Sequence, residues 1–246
     1  MSDSGAPDRV DDEVLAEQLA YYRARVDEYD EWFTRTGRYD RGEAATAAWR
    51  AETDTVRGWL RALDLCGRDV LELAPGTGLW TTQLLDAGAA VTAVDAAPEM
   101  LDALRARVLG PRLALVEADL FTWRPPRQFD AVVACFFMSH VPDERFGAFC
   151  ELLSASLHDG GTVFLVDSLR TENSTAADHV LPQASGQTMV RRLGDGRTFR
   201  VVKRFRGDDE LVSACASAGI SASVRRTATY FQVAAGRRDG RAARPV

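Results

Sequence analysis

The stretch Val70-Leu71-Glu72-Leu73-Ala74-Pro75-Gly76-Thr77-Gly78-Leu79-Trp80 constrains this chain more than any other. An apolar run carrying an acid, then a Gly-x-Gly turn, then a helix-like segment holds a nucleotide-type ligand at the lip of a parallel sheet. Gly76 and Gly78 tolerate left-handed backbone angles and let a ligand approach the main chain. The helix that starts there offers unpaired N–H groups. Thr81 stands where a dinucleotide loop has its third glycine, which speaks against a nicotinamide cofactor. No GK[ST] follows, so this is not a triphosphate-binding P-loop.

From Asp69 onward strands and helices alternate. Val70–Leu73, Val91–Val94, Leu113–Val116 and Phe129–Phe137 read as strands, and Thr162–Val166 as a fifth after a Gly160-Gly161 stop. Thr81–Ala87, Pro98–Val108 and Pro142–Leu157 read as helices, with Pro98 suited to a first turn. This rhythm predicts an α/β fold with a parallel, doubly wound sheet. The continuous apolar run Ala131–Met138 suits a strand buried on both faces. Upstream, Val14, Leu15, Leu19, Tyr22, Val26, Tyr29 and Phe33 mark one face of a helix over Asp11–Phe33. A second helix covers Glu43–Leu63, with Trp49, Val56, Trp59 and Leu60 inward. After Asp167, Ser168–Gln187 is aperiodic. Met189–Leu193 and Arg197–Phe205 flank Gly194-Asp195-Gly196 as a hairpin. A helix over Asp208–Ala218, stopped by Gly219, precedes strands Ser221–Arg226 and Tyr230–Ala234. The expected organisation is a disordered N-terminus (1–10), a single domain (11–235) with a helical cap (11–63) and a hairpin insertion (187–205), and a basic tail (236–246).

Composition excludes several function classes. With 246 residues, 46% hydrophobic, the chain fills one large α/β domain. It has no run of about 18 apolar residues, hence no expected membrane span, and no basic-then-apolar leader at its start. The four cysteines form no CxxC pair, which argues against zinc and against a disulfide framework, and points to a reducing cytoplasm. A formal charge of −6 speaks against nucleic acid. A small molecule is the expected partner; the oligomeric state leaves no mark on the pattern.

The acids at successive strand ends narrow the cofactor. Glu72, four residues before Gly76, is placed to accept a hydrogen bond from a cationic α-amino group, which S-adenosylmethionine has and NAD lacks. Asp95 ends the second strand, where a carboxylate accepts both ribose hydroxyls. Ala96 and Met100 would flank the adenine. Asp119 would accept from the adenine amino group and Leu120 would offer its N–H. On Glu72 through Gly78, Val94-Asp95 and Ala118-Asp119, the chain resembles class I S-adenosylmethionine-dependent methyltransferases over roughly residues 65–235. The resemblance implies a Rossmann-like seven-stranded sheet of order 3-2-1-4-5-7-6 with the last strand antiparallel. It also implies a cofactor over the carboxyl ends of the first four strands, touching Tyr22, Ala74, Gly76, Gly78, Trp80, Thr81, Phe121 and Phe136 besides, and S-adenosylhomocysteine as product.

On the substrate side, Cys135-Phe136-Phe137-Met138-Ser139-His140-Val141-Pro142 lacks the Asn/Asp-Pro-Pro-Tyr/Phe element of nucleic-acid base methylators. The residues leave His140 open as a structural hydrogen-bonder, a base or a substrate ligand. The hairpin carries Arg191, Arg192, Arg197, Arg200, Lys203 and Arg204. Alternate residues of a strand share a face, so one or two of these cations would point inward. Tyr21-Tyr22-Arg23-Ala24-Arg25, Tyr29-Asp30, Asp119-Leu120-Phe121, Ser139 through Phe146 and Arg191 through Lys203 are similar to the phosphonate O-methyltransferases of dehydrophos-type biosynthesis. That similarity implies an anion-binding, catalytic cluster of His140, Arg192 and Lys203, with Tyr39 the nearest match to a contributing tyrosine. The segments between Trp32 and Trp59 and over Ser168–Gln187 are longer here. The expectation is an O-methyltransferase acting on a small anionic metabolite (a phosphonate or carboxylate). The alternatives are a methyltransferase of an aromatic or heterocyclic natural product and a non-catalytic S-adenosylmethionine-binding protein.

Overall fold

The computed structural model describes residues 9–182 and 186–240. In chain order the elements are α1 (Asp12–Ala24), α2 (Glu31–Thr34), α3 (Glu43–Arg61), β1 (Asp69–Leu73), α4 (Leu79–Asp86), β2 (Ala90–Asp95), α5 (Pro98–Arg107) and β3 (Leu113–Glu117). There follow β4 (Phe129–Cys135), α6 (Asp143–Ala155), β5 (Leu157–Ser168), β6 (Thr188–Arg192), β7 (Thr198–Val202), α7 (Asp208–Ser217), β8 (Ile220–Arg226) and β9 (Phe231–Arg238). Seven strands form one sheet in the order β3-β2-β1-β4-β5-β9-β8, and β6-β7 form a separate hairpin. β3 through β5 in that order pair in parallel, and β9 runs antiparallel to both neighbours. This is the doubly wound order expected for the family resembled. The two hairpin strands account for the higher numbers of the last pair.

Apolar side chains cover both faces of the sheet. Leu71, Leu73, Val132 and Val163 pack beneath α6 and α7, while Val70, Val133, Phe164 and Val233 pack toward α3 and α4. A strand buried on both sides cannot alternate with polar residues, which is why β1 and β4 read as continuous runs. Gly78 (φ +87°) shows why the turn after β1 needs a glycine: a Cβ there would lie 2.2 Å from Leu104 Cδ1 of α5.

Three boundaries depart from the sequence reading. Gly160-Gly161 does not stop the chain ahead of the fifth strand; β5 begins at Leu157, runs through both glycines, and shifts register against β4 between Phe129 and Ala131. Glycine here serves an irregularity inside a strand rather than its start. β9 extends to Arg238, so Gly236 and Arg237 are sheet residues rather than tail, with Arg237 paired to Thr162 and Ser221. Of the expected tail, 241–246 lie outside the described residues, as do 1–8 of the expected disordered start. Finally, the helix expected over Asp11–Phe33 breaks after Ala24 into a 3-10 turn at Val26–Glu28 and then α2, closed by Arg35 at φ 61°. No glycine or proline lies between Arg25 and Phe33 to signal the break. It coincides with tertiary contacts: Asp30 accepts from Thr77 Oγ1 at 2.6 Å, and the Tyr29 hydroxyl lies 2.9 Å from where a Gly76 Cβ would be.

The hairpin rests on α1. Tyr21, Met189, Leu193 and Val201 make a small core of their own. Gln18 bridges the pieces, its Nε2 donating to His140 O (3.1 Å) and its Oε1 accepting from Val202 N (2.9 Å).

Candidate active site

The carboxyl ends of β1, β2 and β4 and the inner face of α1 enclose a cavity of about 440 Å³. That is within the range of small-molecule sites. Tyr22, Ala74, Gly76, Asp95, Ala96, Met100, Asp119, Leu120, Phe121, Phe136 and His140 all line it, as the sequence predicted. Asp95 is one of its walls, with Oδ2 accepting from Gly76 N (3.2 Å) and Oδ1 from Ala97 N (2.9 Å). Burial raises its carboxyl to about 6. A carboxylate offers about four acceptor sites, so capacity remains for a ligand hydroxyl. At the rim, Asp119 Oδ1 accepts from Phe121 N at 2.9 Å.

Four predicted cofactor residues stand outside this cavity. Glu72 and Trp80 line a narrow crevice beside it, together with Ala74 and Phe136. Glu72 is 1% exposed; Oε2 accepts from Thr81 Oγ1 at 2.6 Å, and Oε1 has no partner among the described residues. Burial raises its carboxyl to about 7. Thr81 is fully buried, lines neither this cavity nor the crevice, and hydrogen-bonds Glu72. Gly78 likewise makes room for Leu104, not for a ligand.

A second, smaller cavity of about 40 Å³ adjoins the first, sharing Tyr22, Tyr29, Phe136 and His140 as walls. Arg25, Arg191, Lys203, Ser168, Ser174 and Thr175 also line it. Phe136 forms the partition and holds a left-handed backbone (φ 63°), its N–H donating to Val166 O at 2.7 Å. Such a conformation in a bulky residue persists only where its surroundings hold it.

His140 is 5% exposed and held at both ring nitrogens. Nδ1 lies 2.6 Å from Val202 O, and Nε2 2.8 Å from Tyr22 Oη. A carbonyl can only accept, so Nδ1 carries the proton and Nε2 accepts from the Tyr22 hydroxyl. Burial, then Lys203 and Arg191, hold the imidazole well below its usual range. It is therefore neutral, with its Nε2 lone pair directed at the Tyr22 hydroxyl. Lys203 Nζ donates to Ser139 Oγ (2.7 Å) and Asp167 Oδ1 (3.3 Å). Asp167 also accepts from Ser139 N and Oγ and from Ser168 N. Burial pushes Lys203 down against the pull of Asp167. The burial of Asp167 acts to raise its carboxyl, but Lys203, His140 and the Ser139 bonds hold it below the usual range.

Two substrate-side expectations are corrected. Arg192 is exposed, and it is Arg191, 6% exposed, that faces the small cavity. The reason is strand parity: Met189, Arg191 and Leu193 are buried on the core side, so Arg192 must point away. Tyr39 lines neither cavity. It is buried behind Arg25, whose Nη2 donates to its hydroxyl at 3.0 Å. The sequence reading also passed over Gln18, Arg25, Tyr29 and Asp167. For Arg191 a signal existed, since it shares the parity of two apolar neighbours; for the others the partners are distant in sequence.

Comparison with known proteins agrees with this geometry. A methyltransferase-domain family matches residues 70–161. The uncharacterized methyltransferase YrrT of Bacillus subtilis (strain 168) is 31% identical over 150 residues, covering 59% of this chain and 70% of YrrT. The ubiquinone biosynthesis O-methyltransferase of Xylella fastidiosa (strain 9a5c) is 32% identical over 142 residues, 55% of this chain, but only 54% of that enzyme is spanned. Among solved structures, DhpI in complex with SAH is 34% identical with a TM-score of 0.77, covering 94% of this chain and 100% of DhpI. DhpI with SAM and HEP is 35% identical with the same TM-score, covering 93% and 100%.

The chain belongs to the class I S-adenosylmethionine-dependent methyltransferases. S-adenosylmethionine is the cofactor of this methyltransferase and S-adenosylhomocysteine its product. The residues present fit it. Glu72 Oε1 is a buried acceptor without a partner, Asp95 has acceptor capacity to spare inside the large cavity, and Ala96, Met100 and Leu120 give that cavity apolar walls. Among the described residues, no helix is long and apolar enough to cross a membrane, and no cluster of His, Cys, Asp and Glu suits a metal ion.

Proposed function

We propose that this methyltransferase methylates an oxygen of a small anionic acceptor, a phosphonate or a carboxylate, bound in the second cavity. The observation that carries this reading is the cavity itself: it is small, adjoins the cofactor cavity through Phe136 and His140, and is lined by Arg25, Arg191 and Lys203. A water needs about 10–15 Å³ of such space, so the cavity holds roughly three water-sized groups. That matches the oxygens of an oxyanion headgroup and leaves no room for an aromatic ring. The likeness over the whole of DhpI, solved in complex with SAM and HEP, and the resemblance to phosphonate O-methyltransferases support the reading. Glu72 Oε1 would receive the cofactor's ammonium, Asp95 its ribose hydroxyls and Asp119 its adenine amino group.

Bound there, the cofactor would supply a methyl group already activated on a sulfonium. The protein's part is alignment and exclusion of water. Arg191 and Lys203 fix the acceptor's charge, and Asp167 and Ser139 fix Lys203. His140 Nε2 can only accept, so it exchanges its bond from the Tyr22 hydroxyl for one from a hydroxyl group of the acceptor. An ionised acceptor needs no base, so the lone pair of His140 orients rather than abstracts.

The test is methyl transfer from labelled cofactor to a panel of phosphonates, carboxylates and phenols, with wild type and His140→Gln. Turnover of a phosphonate or carboxylate, reduced less than about tenfold by the substitution, is expected. Transfer to phenols alone, lost by the roughly 10²–10⁴ typical of a missing general base, would overturn the reading. Cofactor binding without transfer to any acceptor would overturn it too.

A further inference from the structure

Arg25 and Arg191 are both buried, at 4% and 6% exposure, and both line the small cavity. Neither has a carboxylate within ion-pair distance among the described residues, whereas exposed Arg23, Arg105 and Arg127 each have one. The Nε of each is buried without a hydrogen-bond partner. Arg25 is instead surrounded by aromatic faces, its guanidinium lying 5.6, 5.0 and 5.5 Å from the ring centres of Tyr21, Tyr29 and Tyr39. Those quadrupoles soften the desolvation of one cation but do not neutralise it. Around the same cavity, Lys203 and Asp167 cancel each other and His140 is neutral. Arginine does not deprotonate in proteins. The cavity thus keeps two positive charges with no counter-charge supplied by the described residues. Removing charges from water without a counter-ion is costly.

We propose that Arg25 is a second arginine of the acceptor site, and that with Arg191 it selects an acceptor carrying two negative charges on one headgroup, a phosphonate or phosphate dianion over a carboxylate. This rests on the second cavity being the acceptor site. It carries a consequence for the reaction. Methylating one oxygen of a dianion forms a C–O bond and leaves a monoester with one charge fewer. One arginine then loses its partner, so the product binds more weakly than the substrate and is not methylated again. Tyr39, which accepts from Arg25 Nη2, is a positioning residue for this selectivity.

The test compares methylphosphonate, its monomethyl ester and acetate as ligands of the S-adenosylhomocysteine-loaded protein by calorimetry at pH 8, with methyl transfer assayed alongside. Wild type should bind methylphosphonate at least roughly 30-fold more tightly than the ester or acetate, the scale of leaving one buried charge unpaired. Arg25→Gln should abolish most of that preference while leaving acetate affinity within about threefold, and Arg25→Lys, which restores the charge, should recover much of it. Tyr39→Phe should weaken the preference without changing cofactor affinity. Equal binding of dianion and monoanions by wild type would overturn the charge selection yet leave an anionic acceptor site standing. A preference intact in Arg25→Gln would remove Arg25 from the site. Failure of all three ligands to bind the loaded protein would instead sink the acceptor site itself. Cofactor affinity, read on each variant, separates these outcomes from misfolding.

Discussion

At the scale of single residues, the acids at the strand ends carry the clearest chemistry. Glu72 is an acid without a cation: Thr81 satisfies one oxygen, and burial keeps the other waiting at a carboxyl raised to about 7. Its ordinary value is 4.5, so the stability it contributes is complete below that pH and is lost as pH rises through about 7. A ligand ammonium beside Oε1 would restore the carboxylate and expel the proton. Binding of S-adenosylhomocysteine at pH 7 should therefore release about half a proton from this group, read from calorimetry in two buffers of different ionisation enthalpy. The release should fade by pH 9 and vanish in Glu72→Gln, which should also be the more stable apoprotein at pH 8. Asp95, raised only to about 6, is largely ionised at pH 7 and contributes little there. A wild-type protein that binds with no proton release at pH 7 would show that Glu72 does not meet the ammonium.

At the scale of elements, the hairpin shows how strongly a period of two decides chemistry. β6 pairs with β7 in a register that sets Met189 against Val201 and Arg191 against Phe199. Because Met189 and Leu193 pack on Tyr21 of α1, Arg191 is carried into the site and Arg192 out of it. Arg191→Met should raise the acceptor's Michaelis constant by roughly 30-fold or more, in line with truncating one partner of a buried charge pair. Arg192→Met should leave it within about twofold, and cofactor affinity should be unaffected in both. The reverse ranking, in steady-state kinetics on a phosphonate acceptor, would mean the hairpin register is wrong. The same element positions the histidine: Val202 O holds Nδ1, and Gln18 ties that strand to the turn carrying His140.

At the scale of the molecule, the cofactor cavity is a sheet lip roofed by parts distant in sequence. α1 and the turn after it lie over Gly76 and Thr77, and Asp30 also pairs with Arg107 of α5. The segment after β5 is pinned to the early loop by Trp32 Nε1 to Ser174 O (2.6 Å), Arg35 to Asn173 O (2.5 Å) and Arg41 to Glu172 O (3.1 Å). Trp32 from the early stretch and Ser174 and Thr175 from the later one bring both to the wall of the small cavity. A ligand bound under such a roof joins its halves. Saturating S-adenosylhomocysteine at a hundredfold excess over its dissociation constant should stabilise the protein by about 2.7 kcal/mol and raise the melting temperature by roughly 5–10 °C. A shift near zero in scanning calorimetry would contradict a preformed cofactor site.

The doubly wound sheet, its strand-end acids and the cofactor were legible in the sequence, because each depends on neighbours a few residues apart. Strand runs, the Gly-x-Gly turn and the spacing of Glu72, Asp95 and Asp119 are local patterns that the parallel sheet then sets side by side. Charge selection was not legible. Arg25 and Arg191 are 166 positions apart in the numbering; strand parity marks Arg191, but nothing in the local sequence distinguishes Arg25 from the solvated arginines nearby. Only the fold decides that one helix end and one hairpin strand turn inward toward the same cavity, and that no carboxylate follows them. Glu72 through Trp80 thus determined what donates the methyl group, while only the tertiary structure brings Arg25 and Arg191 to the wall of one cavity. Burial is a property of the whole packing and not of any segment.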